Sequence, residues 1–138
     1  MNIYLAGIIG GLVGGSAFGM MMMKMHKLPK IAKLWGGSSS GFGFFVHLVN
    51  STIIGILYIA GLLVLGISGF EEFGAGLVFG LIYGFIWWIL GPLILMPLWL
   101  KMPIRILSAK RIKETLPGGL IGHFVYGTLL GITVAILI

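Results

Sequence analysis

Residues 42–66 read FGFFVHLVNSTIIGILYIAGLLVLG, 25 positions without a lysine, arginine, aspartate or glutamate. About 20 mainly apolar residues are enough for a helix to cross the hydrocarbon core of a bilayer, so this stretch is long enough to span. Working outward, three more stretches meet the same requirement: 3–23 before it, and 73–97 and 118–138 after it. The connections are 24–41, 67–72 and 98–117.

The composition agrees. Of 138 residues, 59% are hydrophobic and only 9% charged, too few charges to wet the surface of a globular domain. The fold expected is all-α: a polytopic membrane protein with four transmembrane helices in a single domain, 1–138. The absence of cysteine excludes disulfides, thiolate metal sites and cysteine nucleophiles. The first span carries its charges after the apolar run, the reverse of a secretory signal peptide, and is read as a retained helix.

The net charge of +6 does not point to nucleic acid, because all nine basic residues lie in two connections. Lys24, Lys27, Lys30 and Lys33 occupy the first; Lys101, Arg105, Lys110, Arg111 and Lys113 occupy the third; the middle one holds Glu71 and Glu72. Short loops rich in Lys and Arg stay on the cytoplasmic side. The expected topology in the cell membrane is therefore N-out and C-out, with 24–41 and 98–117 inside. In the first connection, Leu28, Ile31, Ala32, Leu34 and Trp35 share a helical arc opposite Lys30 and Lys33. An interfacial helix on anionic headgroups and an ordinary snorkelling loop both fit that arc. The third connection spreads its cations round the wheel and reads as a solvated turn, with Arg105, Lys110 and Arg111 at the membrane surface.

Laying 45–56 over 121–132 matches His47 with His123, Thr52 with Thr128, Gly55 with Gly131 and Ile56 with Ile132. Upstream, Lys27-Leu28-Pro29 pairs with Lys101-Met102-Pro103, and Met22 with Met96. The chain reads as two copies of one helical hairpin, 3–66 and 73–138. Each copy crosses twice, so the copies run in parallel about a pseudo-twofold axis along the membrane normal. The runs GMMMMKMHKLP (19–29), VHLVNSTIIG (46–55), GLIYGFIWWILGPLILMPLWLKMP (80–103) and GHFVYGTLLG (122–131) resemble a family of small prokaryotic four-helix membrane proteins. Its signature is a duplicated His-x-Val-x-Ser/Gly-Thr-x-x-Gly hairpin. The resemblance implies four helices in a prokaryotic membrane and attaches no activity.

Small residues recur every four positions: Gly7, Gly11, Gly15 and Gly19 in the first span, Gly76, Gly80 and Gly84 in the third, Gly55 in the second, Gly127 and Gly131 in the fourth. Such stripes let helix backbones approach closely, and the alternative is a narrow pore lined by bare backbone. His47 and His123 share faces with Ser51 and Gly55 and with Gly127 and Gly131. Both should point into the bundle at one depth, roughly 9 Å inside their helices.

Three readings of the paired histidines are open. They bond a neighbouring carbonyl; they form a ligand site or proton-sensitive gate together with Ser51 and Tyr126; or they bind a metal. Thioether and imidazole favour copper, with Met22 and Met96 as further ligands, while two imidazoles alone suit haem b. Ser38-Ser39-Ser40, at the entrance to the second span, reads as a helix cap. Pro92 and Pro97 should bend the inner half of the third span, as kinked packing or as a broken-helix ion site.

With no paired carboxylates within the spans, catalysis finds no support. The role expected is that of a non-catalytic accessory subunit of a larger membrane assembly or of a self-associating protein. Its glycine stripes would then be surplus to one small bundle. A small oligomeric transporter or channel lined by His47 and His123 is the alternative, and a copper or haem module is a further one.

Overall fold

The computed structural model describes residues 1–103 and 105–138 and is all-helical, with no strand among them. Helix α1 spans Ile3–Lys24, α2 Leu28–Ala32, α3 Ser40–Val64, α4 Phe73–Trp88, α5 Met96–Trp99, α6 Ala109–Thr115 and α7 Ile121–Leu137. Two π-helical stretches, Ile89–Leu95 and Leu116–Leu120, join α4 to α5 and α6 to α7. Four continuous helical runs are long and apolar enough to cross a membrane: Ile3–Lys24, Ser40–Val64, Phe73–Trp99 and Ala109–Leu137.

The helix starts follow local chemistry. Asn2 Oδ1 accepts from the Tyr4 N–H at 2.9 Å at the head of α1, and Ser39 Oγ accepts from the Phe42 N–H at 3.1 Å at the head of α3. Each satisfies a backbone donor that the first helical turn leaves unpaired.

Helix α1 lies between α3 and α7, and α7 in turn lies against α4. Glycines set these approaches. A Cβ on Gly7 would stand 2.7 Å from the Gly55 carbonyl oxygen, and one on Gly11 2.5 Å from that of Ser51. Gly15 meets the Ser51 side chain, and Gly19 meets Phe44 and His47. Across the bundle, Gly76 faces the Gly131 carbonyl, Gly80 that of Gly127 and Gly84 that of His123. All ten glycines expected to pack helices therefore do so inside this chain. They are not surplus, and that ground for an accessory subunit falls away.

The interface of α1 with α7 uses two glycines that the four-residue stripe leaves out. Gly10 packs on Leu130, and a Cβ on Gly14 would lie 2.6 Å from the Tyr126 carbonyl oxygen. These stand three residues beyond Gly7 and Gly11, on the adjoining face. In α4 the residues three beyond Gly76 and Gly80 are Phe79 and Tyr83. Two aromatic rings thus occupy the face of α4 that turns toward α3, where α1 offers bare backbone to α7. Helix α4 accordingly stands off from α3, and side chains span the gap. Tyr83 donates its hydroxyl to the Ile54 carbonyl at 2.7 Å and packs on Tyr58 with ring centroids 5.0 Å apart.

Both connections carry a short helix. The apolar residues of α2 cover α3: Leu28 and Ala32 are fully buried, and the Leu28 carbonyl occupies the space beside Gly43. Ile31 is half-buried and Trp35 exposed, so the arc is divided between the bundle and the outside. The third connection is not simply a turn, since α6 forms within it and Arg111, expected at the membrane surface, is 5% exposed.

Pro97 explains why Arg111 is drawn in. The Met96 N–H bonds the Gly91 carbonyl, the five-residue register of a π-helix. The next donor would be the N–H of residue 97, and proline has none, so the carbonyls of Pro92 and Leu93 lack a helical partner. Arg111 Nε donates to Pro92 O at 2.8 Å, and the Leu107 N–H donates to Leu93 O at 3.2 Å. A buried carbonyl left unpaired would cost about 1–3 kcal/mol, so one proline pins the following segment against the third span.

Candidate functional site

A cavity of about 550 Å³ lies between α3 and the stretch that runs from Trp87 at the end of α4 to Trp99 of α5, with α1, α2, α6 and α7 completing its lining. Its volume falls within the roughly 300–1,000 Å³ range of small-molecule sites.

Four sequence-predicted residues, His47, Ser51, His123 and Tyr126, all line it. His47 Nε2 lies 3.0 Å from the Gly15 carbonyl oxygen, and because a carbonyl only accepts, this nitrogen carries the proton. Ser51 Oγ stands 3.5 Å from the same nitrogen. Tyr126 donates its hydroxyl to the Ser51 carbonyl at 2.7 Å, linking α7 to α3 behind α1. His123 Nδ1 donates to Gly119 O at 2.7 Å, one helical turn back, within the π-helical stretch. Its Nε2 turns toward Gly91, 3.8 Å from where a Cβ would stand.

Both imidazoles pack edge-on against one ring, Phe18 of α1, with centroids 5.4 Å away for His47 and 4.8 Å for His123. A Cβ on Gly122 would collide with that ring, so the glycine makes room for it. Phe18 fills the space beside the histidines, and each histidine already spends one ring nitrogen on a carbonyl. Met22 and Met96, weighed as further metal ligands, also line the cavity. Among the described residues, no three His, Cys, Asp or Glu side chains are grouped as a metal ion would need. A flat haem between the two imidazoles does not fit, because Phe18 is packed against both.

The end of the cavity nearest the loops is charged. Lys27, Lys30, Arg111 and Glu114 line it, together with His26. The Arg111 guanidinium is held by Pro92 O and by Glu114, whose carboxylate lies 3.5 Å from Nη1. Lys30 is partly buried. Loss of hydration, reinforced by repulsion from the Arg111 charge, holds its pKa below the ordinary lysine value. Lys33, Trp35, Arg105 and Lys110, also expected at a membrane surface, are exposed, and Trp35 contributes to the rim of the cavity.

The rest of the wall is apolar, with Ile53, Ile54 and Leu57 on one side and Trp87 and Leu95 on the other. The Trp87 indole N–H is buried without an acceptor among the described residues. Trp99 donates its indole N–H to the Leu34 carbonyl at 3.0 Å, tying α5 to the turn after α2.

Sequence reasoning found the histidines, Ser51 and Tyr126 and missed Phe18, Tyr83, Arg111 as a buried group, and Glu114. Pro97 was the available signal for Arg111: a proline one π-turn after another carbonyl-rich bend leaves acceptors that a nearby cation can satisfy. No protein-family model, curated protein or solved structure matches the chain.

Proposed function

We propose that this chain is a non-catalytic integral membrane protein that acts by binding a ligand in the cavity beside α3 and the end of α4, as a small binding or transport unit. One observation carries the reading: an open space within the bundle that ends on a buried guanidinium. A protein whose task was helix packing alone would gain by closing that space, since voids forfeit dispersion contacts.

The same reading takes the protein as prokaryotic, in the plasma membrane, N-out and C-out, with His47 and His123 on the wall of the path. It also takes the two hairpins as copies of one unit. The matched contacts of Gly7 with Gly55 and of Gly76 with Gly131 support that view, as do those of Gly11 with Ser51 and of Gly80 with Gly127. On this view the second copy departs from the first where Phe79 and Tyr83 replace small residues, and Tyr83 braces the cavity from outside its lining through its bond to Ile54.

Because the chain has no cysteine, single-cysteine variants test the reading, the cavity in delipidated protein in detergent and the topology in whole cells. Asn50→Cys on the cavity wall should react with a small thiol reagent and the buried Val134→Cys should not; equal protection of both would sink the proposal. Glu72→Cys should label from outside the cell and Lys33→Cys only after permeabilisation, and the opposite pattern would reverse the topology.

A further inference from the structure

We propose that the cavity binds an anionic lipid-like amphiphile, its phosphate or carboxylate headgroup held by Arg111 and Lys30 and its chain leaving between α3 and α4 past Ile53 and Leu57. The inference rests on the ligand-binding reading and names the ligand class.

The first argument is charge. Among the groups that line the cavity, Lys27, Lys30 and Arg111 face one acid, Glu114. Arg111 spends Nε on Pro92 and Nη1 on a long contact with Glu114, and no described residue accepts from Nη2. A guanidinium carries five donors in a planar fork that matches phosphate and carboxylate oxygens. At 5% exposure it is poorly hydrated, so an anion supplied by a ligand gains a charge-assisted contact that water competes for weakly. Lys30 lines the same end of the cavity as Arg111, and an anion bound there relieves the repulsion between the two charges.

The second argument is the shape of the remainder. Ile53 and Leu57 line the cavity and are also 49% and 47% exposed on the outer flank of the bundle, so the apolar end opens sideways. At the loop end the bond from Trp99 to Leu34 ties the walls together. An occupant with its charge at Arg111 therefore has an apolar way out along the span, where a bilayer supplies acyl chains. A small hydrophilic anion would use only the charged end.

The test uses the purified full-length protein in nonionic detergent. Native mass spectrometry compares phosphatidylglycerol, phosphatidylcholine with the same chains, and inorganic phosphate. Phosphatidylglycerol should be retained about tenfold more than phosphatidylcholine, the factor expected of one charge-assisted contact. Lys30→Gln and Arg111→Gln should each erase most of that preference, and Leu57→Trp, which obstructs the chain path, should weaken retention of phosphatidylglycerol. Arg111→Gln also removes the bond to Pro92, so Lys30→Gln and Leu57→Trp decide the matter if it does not fold. Equal retention of the two lipids would overturn the proposal, and so would competition by phosphate alone with no effect of Leu57→Trp, which would assign the site to a free anion. If Asn50→Cys labels and no lipid preference appears, the ligand class is wrong while the ligand-binding reading stands; if Asn50→Cys is protected, both fall.

Discussion

Arg111 Nε donates at 2.8 Å to the carbonyl oxygen of Pro92, 19 residues earlier in the chain, which Pro97 deprives of a backbone donor. Through this bond the fold and the candidate site share one residue: the guanidinium that completes the backbone of the third span is also the charge at the end of the cavity.

Arg111→Met should therefore lower stability by about 1–3 kcal/mol, the cost of orphaning a buried carbonyl and its partner Glu114. Pro97→Ala restores an N–H to the helix and should reduce that loss, giving a non-additive double-mutant cycle. Thermal unfolding in detergent of the two single variants and the double variant checks it. Strict additivity would show that Pro97 is not the reason Arg111 is held.

The glycine contacts make a contrasting pair. A Cβ at Gly11 would stand 2.5 Å from the Ser51 carbonyl oxygen, whereas one at Gly61 meets nothing within 4 Å. Gly11→Ala should push α1 from α3 and cost about 1–3 kcal/mol. Gly61→Ala, inside α3, should be neutral or stabilise by up to about 1 kcal/mol through helix propensity. Parallel melting curves decide, and equal effects would contradict the close approach.

Tyr83 bridges α4 to α3 through Ile54 and Tyr58, and Phe79 lies one turn before it on the same face. Replacing both by Ala should let the helices close and shrink the cavity, so labelling of Asn50→Cys in that background should slow several-fold. Tyr83→Phe alone removes only the bond to Ile54 and should cost about 0.5–1.5 kcal/mol while labelling persists. Faster labelling in the double variant would mean that the rings fill the gap rather than maintain it.

Lys30 supplies the pH dependence. Its pKa is lowered by burial and by Arg111, with smaller opposing help from Glu114 and further repulsion from Lys27 and Lys33. Charging Lys30 in the folded protein is thus penalised relative to the unfolded chain. Stability withheld at lower pH returns as pH rises through the folded pKa, up to the ordinary lysine value. Anion binding moves the other way and should weaken as Lys30 discharges, at a lower pH than for an exposed lysine. Lys30→Arg, which stays charged, should flatten that limb of a binding-versus-pH curve, and an unchanged curve would remove Lys30 from the site.

Much of the architecture was legible in the chain because the bilayer requirement is one-dimensional. A run of about 20 apolar residues either exists or does not, and the four runs appear as four helices within a few residues at most ends. The largest departure is the fourth, which continues back through Leu116–Leu120 to Ala109, because a π-helical stretch carries the helix across Pro117. The inward histidines were legible too, since i, i+4 spacing with Ser51 and with Gly127 places each on a buried face.

What the sequence by itself determined is therefore the set of spanning segments, their apolar and small-residue faces, and the crowding of positive charge into two connections. These follow from composition and from the 3.6-residue period of a single helix. Only the tertiary structure decided which glycine face meets which neighbour, that Phe18 packs against both histidines, and that Arg111 is buried. Those outcomes depend on contacts between distant segments, where a missing N–H at Pro97 or two rings at Phe79 and Tyr83 act on a partner helix that no local pattern names.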